Sequence, residues 1–574
     1  MRWIFPQPDP EAPPAAAKLE RELNLPPLLA RLLVIRGLGD PDAAQRFLRP
    51  QLNQLHDPFR MAGMSAAVAR VHQAIDRREK ILIYGDYDVD GTMAVVVLLT
   101  ALRALGASVE VHIPDRLTDG YGMRAHVIER AAAGGAKLVV SVDTGVRAHE
   151  AIRRAGELGV DCIVTDHHLP EDRLPPACAI LNPHRMDCPY PDKNLAGAGV
   201  AFKLAQALLG MPHAGSGSNG STRLVESYLK VVALGTIADV VPLVGENRVI
   251  AHYGLAGLRQ PASHGLRALL EASGLGGGRA VTTGHVGFRL APRLNAAGRM
   301  ESARDVIALF TATEPTLAAE VAGRLDRLNQ ERQQVEEAIL SQVVEMIEAR
   351  PEHKDRYSMV FAGEGWHRGV IGIVAQRVAE RYHRPALIIG VEAGEGVGSG
   401  RSIPGFHLLN ALASCAGVFE RYGGHAQAAG FTLAADRIAE LEVRFEGYAR
   451  AVLTPKHLEP VLRVDTEVSL GEIKGPFYDH LQRLAPHGIG NPTPVFAVRG
   501  MRVVSPPRVL KERHLKLRVA EGERVLDALA WNWGPRAAEW SQGQRVDAAF
   551  TVDENNFQDI RTLQLELKDL RALP

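Results

Sequence analysis

From Lys80 onward, short apolar runs alternate with longer stretches of helical period. KILIYG is followed, after Gly91, by TMAVVVLLTALRALG. ASVEVHIP precedes AHVIERAAAGG, KLVVSVDTG precedes VRAHEAIRRAGELG, and DCIVTDHH supplies a further apolar run. Strand-length apolar runs separated by helix-length segments predict parallel strands joined by crossover helices, hence a doubly wound α/β sheet. AGVAFKLAQALLG and ESYLKVVALGTIADVVPL read as further helices, the second running into a loop, and residues 213–222, HAGSGSNGST, read as a flexible loop. Between Glu314 and Arg350 the pattern is helical and strongly charged, broken only by Gly323, which predicts one long connecting helix. YSMVFAG and RPALIIG are strands of a second α/β region. Beyond it, VLRVDTEVSL, PVFAVRGMRVV, HLKLRVA, RVDAAFTVDEN and TLQLELKDL are short β-like runs at regular spacing, the pattern of a small barrel, with an OB-fold leading. The N-terminal stretch is rich in Pro, Ala and Leu and reads as short helices such as LPPLLARLLVIRGLGD and PDAAQRFLRP. The expected fold class is α/β: an N-terminal helical segment (1–75), a parallel-sheet domain (76–313), a connecting helix (314–352), a second α/β domain (353–453) and a C-terminal OB-like β-barrel (454–574).

Composition adds limits to this picture. A chain of 574 residues is too long for one hydrophobic core. Lys+Arg and Asp+Glu are 66 each, so a basic surface for a polyanion must be local. Cys162, Cys178, Cys188 and Cys415 show no CxxC spacing, which favours reduced cytoplasmic thiols over a zinc site or a disulfide framework. MRWIFPQPDPEAPP lacks the pattern of a signal peptide, and AVVVLLTALRALG is short and interrupted by Arg103, so no membrane span is expected.

The candidate chemistry lies where strands end. Asp86, Asp88 and Asp90 follow KILIYG, Asp143 follows KLVVSV, and Asp166, His167 and His168 follow DCIVT. In an open parallel sheet these ends share one edge. Asp239, in GTIADVVPL, is another acid among apolar residues. Ionised carboxylates gathered this closely repel one another and are costly to desolvate. Alone, DYDVD reads equally as a solvated acidic loop. Together with the imidazoles it reads as a site for divalent cations, Mg²⁺ or Mn²⁺, imidazole tilting the choice toward Mn²⁺. Two such ions form the usual device for phosphodiester hydrolysis. Asp143, alone on the middle strand, is the candidate bridging ligand.

GDYDVDG, SVDTG, TDHH and GTIADVVPL, in this order, resemble the four motifs of the DHH phosphoesterase superfamily, and most closely its bacterial single-strand-specific 5′→3′ DNA exonucleases. IPDRLTDGYG, APRLNAAGRM, WHRGVIGIVAQR, GSGRSIPGFH and PHGIGNPTPVF add to the likeness, and GGHAQAAG resembles the DHH-associated domain. The resemblance implies that 76–313 is the catalytic domain and 353–453 the DHH-associated domain. It implies that Asp88, Asp90, Asp143, His167 and Asp239 hold two ions of Mn²⁺ or Mg²⁺, with Asp143 bridging them. Asp86 matches an extra acid of the exonuclease branch, His168 would approach the scissile phosphate, and Asp166 would orient the histidines. It also implies a single-stranded DNA substrate, a monomeric cytoplasmic enzyme releasing mononucleotides in recombination and repair, and work beside single-strand-binding protein and a repair helicase.

Holding a strand without reading its sequence needs phosphate contacts and stacking. Arg116, Arg299, and Ser399 with Arg401 sit in glycine-rich or loop contexts, and the resemblance makes them phosphate-binding and 5′-end-recognising. His425 reads either as a substrate contact or as a satisfied histidine in a glycine-rich turn. Trp366 reads as core rather than as a stacking platform. Residues 501–520 carry six Lys/Arg against one Glu. This is either a basic face for single-stranded DNA or a charged edge strand that resists pairing with other chains.

Overall fold

In the computed structural model residues 1–574 are described apart from 8, 10, 116–121, 212–218, 558, 559 and 574. Arg116 therefore lies outside the described residues, as does most of the loop expected at 213–222. The chain divides into two compact units, one of Leu55–Val241 with Tyr253–Glu459, the other of Met1–Gln54, Pro242–His252 and Pro460–Pro574.

In the first unit the β-branched runs form a five-stranded, all-parallel sheet. Its order is Ser108–His112, Lys80–Tyr84, Ala136–Val142, Asp161–Thr165, Ala179–Leu181. Such strands need cover on both faces, and the helices supply it: Val89–Ala104 and Gly197–Leu208 are predominantly apolar and buried along most of their length. From Lys80–Tyr84 the chain goes first to one neighbour, Ser108–His112, then crosses back to the other, Ala136–Val142. The winding thus reverses between Lys80–Tyr84 and Ala136–Val142, and a crevice opens there at the carboxyl ends of the strands. The three-residue strand Ala179–Leu181 was not expected; it is too short to show a period.

A 35-residue helix, Pro315–Ala349, follows. It buries a stripe that includes Val321, Leu325, Ile339, Val343 and Ile347 and leaves most of its charged positions in water. A second, mixed sheet has the order Arg421–Gly424, Ala428–Ala434, Glu395–Arg401, Ala386–Glu392, Met359–Glu364. Of the two contexts expected for Ser399 and Arg401, glycine-rich or loop, the structure has the first: they stand on a regular central strand, EGVGSGR. Its glycines are packing devices: a Cβ at Gly398 would lie 2.1 Å from the Phe431 ring, and one at Gly400 would lie 2.6 Å from Leu387. Arg299 likewise stands in the last turn of the helix Ala291–Met300. Trp366 is core, as expected, its indole donating to Gln342 Oε1 at 2.8 Å.

In the second unit, strands Phe496–Val503, His514–Glu521, Arg524–Ala530, Ile560–Ala572 and Arg545–Phe557 pair in that cyclic order. Arg502 and Val503 close the ring against Ala520 and Val519, and Arg524–Ala530 runs parallel to Ile560–Ala572. This five-stranded closed ring is the OB barrel. Its core, around Phe496, Phe550 and Leu565, is shared with Leu19, Leu29 and Leu33 of the N-terminal helices. Arg2–Ile4 pairs in parallel with Val461–Arg463, so the N-terminus is tied to the barrel by backbone as well. Arg248 is fully buried in this unit. It donates to the carbonyls of Phe47 at 2.8 Å, Ala485 at 2.8 Å and Pro486 at 3.2 Å, and lies 3.7 Å above the Phe47 ring.

Candidate metal centre

The site occupies the crevice at the reversal of winding. After Tyr84 the chain turns through Gly85 to Asp86, whose Oδ1 accepts from Tyr87 N at 2.7 Å. Asp88 caps the helix Val89–Ala104, its Oδ1 accepting from Gly91 N at 3.0 Å. Asp90, in the first turn of that helix, accepts from Gly197 N at 2.6 Å and Ala198 N at 3.0 Å. These two donors open the helix Gly197–Leu208, so a buried carboxylate sits at the positive end of a helix. Asp143 leaves the next strand with a left-handed backbone, φ 60°.

Asp166, one strand further on, organises the histidines. Its Oδ1 accepts from His167 N at 2.8 Å, His168 N at 3.1 Å and His168 Nδ1 at 2.7 Å, while Oδ2 accepts from Val146 N at 2.9 Å. His167 Nε2 then lies 3.2 Å from Asp143 Oδ1, 3.6 Å from Asp239 Oδ2 and 3.8 Å from Asp90 Oδ2.

The electrostatics follow from this crowding. Burial, then repulsion by Asp88, pushes Asp86 and Asp90 each up to about 7. Burial and then Asp90 push Asp239 up to about 9 and raise Asp143 as well. Burial and the neighbouring His168 lower His167 to about 4, so its imidazole is neutral at pH 7, the form that ligates metals. Burial also works against the charge on His168, but the hydrogen bond to Asp166 and the surrounding carboxylates outweigh it and raise the ring to about 9.

Such a cluster is unstable by itself and fits a divalent cation. Among the described residues, Asp143 Oδ1 is buried and receives no hydrogen bond. Two donor sets, Asp143–His167–His168 and Asp90–His167–Asp239, each bring their ligand atoms within 4.8 Å of one another and share His167. A Cβ at Gly197 would lie 2.3 Å from Asp143 Oδ1 and one at Gly235 would lie 2.6 Å from Asp90 Oδ1, so glycine is required where two backbones close on the carboxylates. The donors are carboxylate and imidazole, which suits Mn²⁺ and Mg²⁺.

The structure thus brings Asp86, Asp88, Asp90, Asp143, Asp166, His167, His168 and Asp239 to one crevice. Asp86 and Asp88 belong to neither donor set. Two side chains were missed by the sequence reading. Asn295 Oδ1 accepts from Val89 N at 3.2 Å and Asn182 Nδ2 donates to the His168 carbonyl at 2.8 Å. Asn295 lies within APRLNAAGRM, which offered a signal; ILNPH offered none.

Of the candidate DNA-holding residues, His425 shares a cavity with Asp166 and His168. It lies in the turn between Arg421–Gly424 and Ala428–Ala434. With Asp166, His168, Thr144 and Arg147 it lines a cavity of about 750 Å³. Arg401 Nη1 donates to Ser399 Oγ at 3.1 Å, and Arg299 Nη1 donates to the Gly369 carbonyl at 3.2 Å.

The fold and the site define a class. The DHH family, N-terminal domain, matches residues 80–236, the DHHA1 domain matches 355–451 and the RecJ OB domain matches 464–569. The single-stranded-DNA-specific exonuclease RecJ of Bacillus subtilis is 37% identical over 572 residues, 99% of this chain and 70% of that protein. The RecJ of Escherichia coli is 35% identical, over 95% of this chain and 96% of that one. The crystal structure of RecJ in complex with Mn²⁺ from Thermus thermophilus superposes with a TM-score of 0.83 at 31% identity, covering 99% of this chain and 79% of that one. A second structure of that protein contains Mg²⁺. The chain belongs to the RecJ family of DHH proteins.

Proposed function

We propose that this chain is a metal-dependent exonuclease that degrades single-stranded DNA from the 5′ end and releases mononucleotides. The observation that carries the reading is the gathering of Asp90, Asp143 and Asp239 around His167 Nε2 at the reversal of winding, in a chain similar to RecJ along nearly its whole length. Asp88, Asp90, Asp143, His167 and Asp239 would hold two ions of Mn²⁺ or Mg²⁺. When bound, the ions supply a nucleophile near neutral pH and positive charge for the phosphorus transition state.

The chain's own groups do the rest. Asp166 fixes both histidines, and the resulting positive charge on His168 is placed to meet a phosphate oxygen. Asp86 adds to the negative field that draws cations in. Arg116, Arg299, Ser399, Arg401 and His425 would hold the strand by its phosphates and its 5′ end. On the barrel, register puts Arg508 beside Lys516, while Lys516 and Arg518 share Asp527. Trp531, 49% exposed, meets the His514 ring edge-on at 4.7 Å. Cations interleaved with an exposed aromatic suit a single strand held without sequence readout. Arg508–Leu510 is also the exposed edge of the sheet, where its charge discourages pairing with other chains. The role would be in recombination and repair in the cytoplasm, as a monomer, beside single-strand-binding protein and a helicase.

The test is degradation of DNA labelled at either end, with Mn²⁺ or Mg²⁺, beside Asp143→Ala and with duplex and RNA controls. Early mononucleotides from the 5′ label, on single strands only and lost in Asp143→Ala, are expected. Cleavage confined to short oligonucleotides or cyclic dinucleotides would replace the reading with a small-substrate phosphoesterase. Binding without cleavage would make the chain a scaffold.

A further inference from the structure

The chain just after Asp143 forms one wall of the 750 Å³ cavity: Thr144, Gly145, Val146, Arg147 and Ala148 all line it. The turn after the strand Asp161–Thr165 supplies Asp166, His168 and Leu169 to the same lining. Two bonds lock these walls together. Val146 N donates to Asp166 Oδ2 at 2.9 Å, and Arg147 Nε donates to the Leu169 carbonyl at 2.9 Å. Arg147 is thus fastened, through the backbone beside it and through its own side chain, to the turn whose His167 faces the acids.

The guanidinium has capacity left over. Among the described residues the Leu169 carbonyl is its one hydrogen-bond partner, and no carboxylate pairs with it. The next arginines along the chain differ: Arg153 pairs with Glu157, and Arg154 with Glu129 at 2.8 Å and Glu157 at 3.0 Å. Asp166, the acid of the same lining, already accepts four hydrogen bonds from other groups. With Nε engaged, the edge formed by Nη1 and Nη2 is left, and that edge matches two oxygens of one phosphate. Met123 and Leu169 give the cavity apolar wall on which a sugar or base can rest, and its volume is that of a small-ligand site. His168, in the same lining, is the side chain placed to meet the scissile phosphate, so a phosphate at Arg147 is a neighbour of the scissile one along the strand.

We propose that Arg147 is a substrate-binding residue that holds a phosphate adjacent to the scissile one, and that the cavity around it takes the nucleotide unit between the two. The proposal rests on the nuclease reading of this chain. The phosphate is either the 5′-terminal one or the first beyond the scissile bond, and the 5′ end of the substrate distinguishes them. No bond forms or breaks at Arg147. Its contact is equal in the bound state and the transition state, so it lowers KM and leaves kcat alone.

The experiment is steady-state cleavage of single-stranded oligonucleotides by the full chain with Mn²⁺, over a range of salt, for wild type, Arg147→Ala and Arg147→Lys. Mn²⁺ binding and melting temperature are measured alongside. Arg147→Ala is expected to raise KM roughly tenfold to a hundredfold with kcat within about twofold of wild type. The slope of log kcat/KM against log salt should become shallower by about 0.7, the loss of one phosphate contact on a single strand. Arg147→Lys keeps the charge without the fork, so its KM should fall between the other two and its salt slope should match wild type. A KM penalty that vanishes on a 5′-hydroxyl substrate supports the proposal with the terminal phosphate as the one held; a penalty that persists supports it with the phosphate beyond the scissile bond. An unchanged KM or an unchanged salt slope in Arg147→Ala, or loss of folding or of Mn²⁺ binding in both variants, overturns the assignment of Arg147 and leaves the nuclease reading in place. Absence of cleavage by wild type overturns both.

Discussion

The molecule buries charge in two ways. In the barrel unit the guanidinium of Arg248 has no carboxylate partner among the described residues, yet three carbonyls within 3.2 Å and the Phe47 ring surround it. Burial lowers its pKa to about 9, which leaves it charged at pH 7. In the α/β unit six buried or half-buried aspartates and two histidines crowd one crevice, and among the described residues Asp143 Oδ1 is approached by His167 Nε2 at 3.2 Å yet receives no hydrogen bond. The first arrangement is complete and fastens a fold. The second lacks positive charge that the protein does not provide, the mark of a site built for something that binds.

The sharpest break in this contrast is Asp143→Ala. Nuclease activity should fall by at least about a thousandfold, while the metal-free chain stays folded because a costly buried carboxylate is gone. Rate measurements with thermal melting check both halves; loss of folding would remove the contrast. Next, Asp166→Asn should cost roughly tenfold to a hundredfold in rate, since it weakens the bond that charges His168 and aims His167. A pH–rate profile should show the upper limb moving down from near pH 9.

Arg248→Ala should do the reverse of Asp143→Ala: lost stability of about 3 kcal/mol, from buried carbonyls left unpaired, with the chemistry at the crevice intact. Urea melts of the full chain, read by probes in each unit, measure this.

The smallest effect is in pH. Carboxylates whose pKa is raised on folding contribute stability at low pH that is lost as pH climbs through the folded values, here about 7 for Asp86 and Asp90 and about 9 for Asp239. His168, raised to about 9, acts with the same sign. The metal-free Tm should therefore fall between about pH 4 and 9, and Mn²⁺ should restore it most at the alkaline end. A flat metal-free profile would mean that the crevice carries no excess negative charge.

Much of the site was legible because a parallel sheet gives strand ends a common address. Any acid just after KILIYG, KLVVSV or DCIVT reaches the same edge, whatever its exact turn. Gly-rich strands were harder. EGVGSGR resembles a loop in one dimension because glycine is a turn former, and only the Phe431 and Leu387 side chains lying over it reveal why a central strand lacks side chains. Asn182 and Asn295 were invisible as functional groups, since each acts on a backbone group distant in sequence.

The sequence alone determined the alternation of strands and helices, the placing of the acids and imidazoles at strand ends, and the family likeness, because hydrophobic period and motif order are local properties. Tertiary structure alone decided that the N-terminal helices complete the barrel core, that Asp90 rests on the first turn of Gly197–Leu208, and that His167 serves both donor sets. Each of these depends on which distant segments pack together, and a one-dimensional pattern specifies that a face is apolar without specifying what covers it.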